Sequence, residues 1–181
     1  MLTGELVTLR AVRPDDLPAL YEIQANLDNW EERSPQPAAP LTRAKFDADA
    51  ARRSEGETVG FSLTAEFAIT VDDRLVGTCV LMNEDSLARH AAVGISLVLE
   101  AAGKGYGTDA FRILVDYAFT RRNLRRVYLE VLASNERAIA SYRKVGFVEE
   151  GRLREHCWVR GAYVDEVRMG LLRSEWRPTP G

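Results

Sequence analysis

The chain has 181 residues, of which 46% are hydrophobic and 28% charged, and its formal net charge is -3. This length suits one domain with a sizeable core, residues 1–181, and the composition excludes disordered and collagen-like classes. The slight negative charge gives no electrostatic reason to coat nucleic acid, which we do not expect as a partner.

The chain begins Met1-Leu2-Thr3-Gly4-Glu5, which is not the start of a signal peptide, and no apolar run is long enough to span a membrane. We therefore expect a cytoplasmic protein without a membrane partner. Cys79 and Cys157 lie far apart and match no zinc-ligand or disulfide spacing, so no metal site is expected.

The first part of the chain predicts one strand and two helices. Leu6–Leu9 alternates as a short strand, and apolar residues from Leu17 onward follow helical spacing after an acidic turn. Three prolines between residues 26 and 40 predict a long loop without a regular element. A second helix is expected from Thr42 to Ser54.

The middle of the chain predicts three strands and then a helix. Phe67–Val71 and Leu75–Met82 form two antiparallel strands joined by a tight turn, and the apolar run Ala91–Leu99 suits a strand buried on both faces. The glycine-rich loop Gly103–Gly107 then opens a helix with one apolar stripe, formed by Phe111, Leu114, Val115, Ala118 and Phe119.

The last part predicts a strand at Arg126–Leu132 and a helix that begins at Ser134 or Asn135 and ends at Gly146. Two strands close the chain, Phe147–Trp158 and Tyr163–Leu172. The order of elements predicts an α/β (α+β) domain whose mixed sheet carries helices on both faces.

The loop Gly103-Lys104-Gly105-Tyr106-Gly107 predicts an anion site. Without side chains, backbone N–H groups approach a phosphate closely, and the following helix N-terminus adds partial positive charge. Lys104 has no Ser or Thr after it, and the glycine spacing differs from GxGxxG, so ATP and dinucleotide motifs are disfavoured and coenzyme A remains. Alternatively, the glycines only allow a tight turn.

Two segments in order resemble the GNAT superfamily of N-acetyltransferases. The first runs from Val93-Gly94 through Glu100 to Gly103–Ala110, and the second comprises Asn135–Ile139, Tyr142 and Gly146-Phe147. The resemblance covers nearly the whole chain and is closest to the ribosomal-protein and polyamine acetyltransferase branch. It implies a mixed, mostly antiparallel seven-stranded sheet, in which two central parallel strands splay to admit the pantetheine arm of acetyl-CoA.

The resemblance also implies which residues bind acetyl-CoA, the co-substrate. Backbone groups of the buried strand would pair with the pantetheine amides, and the loop and the next helix would bind the pyrophosphate. The residues are Leu97, Leu99, Lys104, Gly105, Tyr106, Gly107, Thr108 and Asn135. Ala102 departs from the family pattern, which has Arg or Gln there, so one contact to the pyrophosphate is missing.

Glu130 is the expected general base. A primary alkyl ammonium has a pKa of about 10.4, so its proton must be removed before it attacks a thioester. Glu130 interrupts an apolar strand, where burial would raise its pKa, and it resembles the base of ribosomal-protein alanine acetyltransferases. A solvated glutamate or a structural ion pair is the alternative. His90 and His156 match no catalytic position.

Tyr142 is the expected general acid for the departing thiolate, mainly because it matches the family motif. Its alternative role is a core aromatic residue beside Ile139. Asn135 is compatible with both pantetheine binding and helix capping.

The expected activity is transfer of acetyl to a primary amine of a small molecule or a protein N-terminus, by direct attack through a tetrahedral intermediate. The acceptor would meet the loop at residues 26–40, where Asp28, Glu31 and Glu32 attract a cation, unless these are solvated charges and Trp30 is a core residue. A non-catalytic acyl-CoA-binding module is the alternative from another class, and a homodimer stays open.

Overall fold

A computed structural model describes residues 1–33, 39–54 and 63–177 of the chain. These residues form a single mixed sheet with helices on both faces. The strands are β1 Leu2–Thr3, β2 Thr8–Arg10, β3 Leu63–Val71, β4 Arg74–Asp85, β5 His90–Leu97, β6 Arg126–Leu132, β7 Val148–Val159 and β8 Ala162–Leu172. The α-helices are α1 Leu17–Ala25, α2 Leu27–Arg33, α3 Arg43–Ser54, α4 Tyr106–Thr120 and α5 Glu136–Val145.

The sheet has the strand order β1-β2-β3-β4-β5-β6-β8-β7, and all neighbours are antiparallel except β5 and β6. This confirms the predicted mixed, mostly antiparallel sheet. The described strands number eight, against the seven that the family resemblance implies, because the two-residue strand β1 also pairs with β2.

The central parallel pair separates soon after it forms. β5 and β6 are in register at His90–Ala92 and Arg126–Tyr128, and the register ends there. Beyond that point β5 remains paired with β4, and β6 remains paired with β8. The expected splay of the two central strands is therefore present, and it opens toward the carboxyl ends of both strands.

The main core lies between the sheet and the helices α4 and α5. The predicted apolar stripe of α4 is fully buried against it. On the other face, α1 and α3 form a second, smaller core around Leu20, Ile23 and Phe46, in which the rings of Tyr21 and Phe46 meet edge to face at 5.6 Å.

The prediction of a loop without regular structure at residues 26–40 is wrong in its first half. Helix α2 occupies Leu27–Arg33, with a first-turn hydrogen bond from the Trp30 N–H to the Asn26 carbonyl at 3.0 Å. The proline argument begins only at Pro35, so it places no restriction on these residues. Residues 34–38 lie outside the described ranges.

Buried Asp109 ties the start of the chain to helix α4. Its carboxylate is 4% exposed and accepts hydrogen bonds from the N–H groups of Glu5, Leu6 and Val7 at 3.3, 2.7 and 3.0 Å. Asp109 also lies in the first turn of α4, where a negative charge stabilises the helix N-terminus. It therefore fixes the helix end that carries the glycine-rich loop.

We predict that Asp109→Ala lowers the free energy of unfolding by about 3 kcal/mol, because several charge-assisted hydrogen bonds to one carboxylate are lost together. Urea denaturation followed by circular dichroism measures the change. Asp116→Ala, at an exposed position of the same helix, is the matched control and should change stability by no more than about 0.5 kcal/mol. Equal stability losses in the two variants would contradict the anchoring role.

Candidate active site

A cavity of about 310 Å³ lies between the end of β5, the glycine-rich loop and the facing sides of α4 and α5. Ile95 to Leu99 form one wall, and residues of α5 from Arg137 to Lys144 form the opposite wall. Since β5 has separated from β6 at this level, the cavity extends the gap between the two strands.

The glycine-rich loop closes one end of the cavity. Gly103 and Gly105 have φ values of +78° and +84°, which non-glycine residues rarely adopt, and Gly105 caps the N-terminus of α4. A side chain at Gly107 would come within 3.3 Å of the Leu97 side chain, so Gly107 allows α4 to pack closely on β5. The loop therefore combines the tight turn and the helix N-terminus that an anion site needs.

Most of the predicted cofactor-binding residues meet at this cavity. Leu97, Leu99, Gly105, Gly107, Thr108 and Asn135 line it. The Thr108 and Ser141 hydroxyl groups are hydrogen-bonded at 2.7 Å, which joins α4 to α5 beside the cavity. Leu99 follows β5 instead of ending it as predicted, and its carbonyl accepts the Ala102 N–H in a 3₁₀ turn.

Lys104 and Tyr106, which are both predicted to bind the cofactor, do not line the cavity, although their neighbours Gly103, Gly105 and Gly107 do. Lys104 is exposed, and Tyr106 packs against the main core. The cations that line the cavity are instead Arg137 and Lys144 of α5. They are seven residues apart, which places them on one face of a helix two turns apart. The seven-residue spacing of these two basic residues is visible in the sequence.

Tyr142 lines the cavity from α5 and is half-buried. Its ring lies 5.0 Å from that of Phe111 and 6.2 Å from that of Phe147, so both core contacts and cavity exposure are present. Burial raises the pKa of its hydroxyl to about 12, which keeps the group protonated at neutral pH.

A second cavity, of about 520 Å³, lies beside the first. It is formed by α2, the connection from β6 to α5 and the turn between β7 and β8, and its lining includes Glu31, Val159, Arg160 and Val164. Asn135 and Arg137 line both cavities. Asn135 also caps α5, since its side-chain oxygen accepts the Ala138 N–H at 3.1 Å.

Acidic side chains of α2 meet the β7–β8 turn at the second cavity. The Arg160 guanidinium contacts Asp28 at 3.2 Å and Glu31 at 3.0 Å. Asp28 and Glu31 were predicted to attract a cation, and in this structure the cation they contact is Arg160. The side chain of Glu32, the third predicted acid, lies outside the described residues.

Glu130 lies on the face of β6 opposite α4, as its alternation with buried Leu129 and Val131 predicts. Its side chain is 39% exposed, so the carboxylate is only partly withdrawn from water. Arg168, its register partner on β8, contacts its carboxylate at 3.1 Å. The ion pair weighed as an alternative is thus present, while the catalytic role of Glu130 stays a prediction.

The two histidines lie away from both cavity linings. His90 contacts Tyr128 edge to face at 5.6 Å, at the closed end of the splay, and His156 is exposed on β7.

Among the described residues there is no group of three or more His, Cys, Asp or Glu side chains able to hold a metal ion. Within the same ranges, no helix is long and apolar enough to cross a membrane.

The chain is similar in sequence to known proteins. Residues 7–148 match the family model of the acetyltransferase (GNAT) domain. The chain is 32% identical to the putative ribosomal N-acetyltransferase YdaF of Bacillus subtilis (strain 168) over 177 residues, which are 96% of this chain and 94% of YdaF. It is 29% identical to the spermidine N(1)-acetyltransferase of Escherichia coli (strain K12), with 100% and 95% coverage.

A solved structure shows the same fold. The spermidine N-acetyltransferase of Vibrio cholerae, in complex with CoA and spermine, superposes with a TM-score of 0.83 at 27% sequence identity. The match covers 95% of this chain and 98% of that chain.

We predict that Arg137→Ala weakens CoA binding by about tenfold, because one charge-assisted contact to a phosphate is worth on the order of 1.5–3 kcal/mol. Isothermal titration calorimetry with CoA measures the affinity. Arg143→Ala is the matched control, since it removes the same charge from an exposed position of the same helix, outside the cavity lining. Equal affinities of the two variants would contradict the role of Arg137.

Proposed function

The chain belongs to the GNAT acetyltransferase family, whose members transfer acetyl to an amine, and we propose that its acceptor is a cationic small-molecule primary amine of the polyamine class. The observation that carries this proposal is the pair of cavities that meet at Asn135 and Arg137. One cavity suits acetyl-CoA, and the lining of the other includes the carboxylates of Glu31 and Glu136.

On the cofactor side, the loop amides at Gly105 and Gly107, together with Arg137 and Lys144, would hold the pyrophosphate and phosphate groups. These cations lie on the lining from which Lys104 is absent, and they compensate for the missing Arg or Gln at Ala102. The pantetheine arm would follow β5 past Leu99 and Leu97 into the splay. The co-substrate in this proposal is acetyl-CoA, with no metal ion.

On the acceptor side, α2 and the β7–β8 turn would receive the amine. Asp28, Glu31 and Glu130 supply negative charge there, although each is ion-paired with Arg160 or Arg168. A polyamine carries several ammonium groups, which can compete for such exposed carboxylates because exposed ion pairs contribute only about 0–1 kcal/mol. The names of the spermidine acetyltransferase relatives support the same acceptor class.

The chemistry that this arrangement supports is direct transfer. The acceptor ammonium gives up a proton, its nitrogen attacks the thioester carbonyl to form a tetrahedral intermediate, and the carbon–sulfur bond then breaks. Glu130 is the proposed carboxylate that meets the amine on one face of the sheet. A covalent enzyme intermediate on cysteine is disfavoured, since burial raises the pKa of both Cys79 and Cys157.

Tyr142 is the proposed donor to the departing sulfur. Its raised pKa makes the phenol a weak acid, but the same dry surroundings also raise the proton affinity of the thiolate that forms beside it. The proton therefore moves from the Tyr142 phenol to the CoA thiolate, and burial disfavours the anionic form of both groups.

A non-catalytic acyl-CoA-binding role is not favoured, because the named relatives are acetyltransferases.

We predict that spermidine and spermine support CoA release from acetyl-CoA with a lower KM than a neutral-tailed alkyl monoamine or a peptide with a free N-terminus. The reason is that a second ammonium group contacts the carboxylates of the acceptor side. A continuous thiol assay over the amine panel measures the values. Preference for the peptide would reject the polyamine class and favour a protein N-terminus.

We predict that Tyr142→Phe lowers kcat by about 100-fold and leaves CoA affinity within about twofold, because general acid catalysis contributes on the order of 10²–10⁴ in rate. Turnover with the best amine and calorimetry with CoA test the two parts separately. Tyr117→Phe removes a hydroxyl outside the cavity lining and should retain kcat. An unchanged kcat in Tyr142→Phe would exclude the acid role.

A further inference from the structure

A second carboxylate, Glu166 of β8, lies on the same face of the sheet as Glu130. Its side chain is 2% exposed, and its Oε1 atom has no hydrogen-bond partner among the described residues. The Sγ–H group of Cys157 approaches its Oε2 atom at 4.0 Å, which is a weak contact. A buried carboxylate with one unsatisfied oxygen costs free energy in the folded protein, so its presence calls for a cation or a proton.

The sheet register places Glu166 at the open part of the splay. Glu166 pairs with Leu132, the last residue of β6, and Arg168 pairs with Glu130. The side chains of Glu130, Glu166 and Arg168 therefore share one face of two neighbouring strands, which run about 5 Å apart. β6 has already separated from β5 at this level, so Glu166 is one strand away from the gap.

Arg168 joins the two glutamates. Its Nη2 atom lies 3.1 Å from Oε1 of Glu130, and its Nε atom lies 3.6 Å from Oε1 of Glu166. The second distance is within ion-pair range and too long for a hydrogen bond. With both carboxylates ionised and one guanidinium between them, the cluster carries one excess negative charge. It can therefore accept one ammonium group or one proton.

The charged and titratable groups around Glu166 come from three strands. Burial raises the pKa of Glu166, the charge of Glu130 raises it further, and His156 and Arg168 act in the opposite direction. Cys157 stays a thiol, since burial raises its own pKa, with Glu166 and Glu130 adding to the rise. A carboxylate whose pKa moves toward neutrality is a better general base.

We propose that Glu130 and Glu166 act together as the general base, Glu130 as the exposed member that contacts the acceptor ammonium and Glu166 as the buried member that holds its proton. The proposal rests on the proposed function and refines the prediction that Glu130 acts alone. Arg168 forms an ion pair with the Glu130 carboxylate, whereas Oε1 of Glu166 can still accept a hydrogen bond.

The proton balance of the proposed step is as follows. One proton passes from the acceptor ammonium to Glu166, directly or through one water at Glu130, and the neutral nitrogen forms the bond to the thioester carbon. When the carbon–sulfur bond breaks, the sulfur takes the Tyr142 proton, and the second proton of the nitrogen restores the phenol through water. Glu166 finally releases its proton to solvent, which leaves the amide, the free thiol of CoA and one proton.

The test compares Glu166→Gln with Glu130→Gln in the full chain, using the best amine of the panel. The base must be ionised, so the wild-type kcat/KM rises with pH through the raised pKa of Glu166. Glu166→Gln should lower kcat by about 100-fold and move this acidic limb to lower pH. Glu130→Gln should mainly raise the KM for the cationic amine. The acidic limb of its pH profile should stay above the usual carboxyl range, because burial is the largest cause of the raised pKa of Glu166.

Two controls test whether the Glu166→Gln variant is folded and whether Glu166 is the titrating group. Glu166→Gln removes a buried charge, so its melting temperature at neutral pH should not fall below that of the wild type. Infrared difference spectra between the wild type and this variant, taken without an acceptor, should show a protonated carboxyl that titrates above the usual range. Wild-type kcat and pH profile in Glu166→Gln, or the absence of that carboxyl signal, would overturn the proposal. Wild-type protein that acetylates no polyamine while the carboxyl signal is present would reject only the polyamine class.

Discussion

The short parallel pairing between β5 and β6 is the constraint on which the site depends. Parallel strands normally continue side by side, because each unpaired peptide group in a buried sheet costs free energy. Here the register stops after Ala92, and each strand keeps its partner on the other side, β4 for β5 and β8 for β6. The sheet is therefore held from both flanks while its centre is open.

The opening is useful only because the helices around it are fixed. Asp109 holds the N-terminal segment against α4, Gly107 brings α4 close to β5, and the hydrogen bond between Thr108 and Ser141 joins α4 to α5. Each contact involves a different pair of elements around the same cavity. The glycine-rich loop and the candidate acid Tyr142 are thus positioned by the packing that closes the main core.

Local patterns predicted the elements around the first cavity well, since these signals are short in range. The glycine-rich loop, the apolar stripe of α4 and the Asn135 cap each depend on neighbours within a few residues, and the bounds of β6 agree with the prediction. The environment of Glu130, in contrast, depends on partners far along the chain. Period-two alternation predicted the correct face for Glu130 but not its ion-pair partner, because Arg168 lies on β8, far along the chain.

The same limitation explains why Glu166 was missed. It lies in a strand of mixed composition, and its burial follows from β6 and β7 on either side of β8. Helix α2 was missed for a different reason, since the prolines that suggested a loop come only after it ends.

The Arg160 contacts to Asp28 and Glu31 give the two halves of the molecule different sensitivities to dissolved salt. These ion pairs are exposed, and the Debye length falls to about 8 Å at physiological ionic strength, so salt screens the attraction between α2 and the β7–β8 turn. The elements around the first cavity are held by buried apolar side chains, whose packing is not an attraction between charges and is therefore not screened by salt. Ionic strength is therefore a means of loosening the contact between α2 and the β7–β8 turn alone, with the glycine-rich loop and its helix still in place.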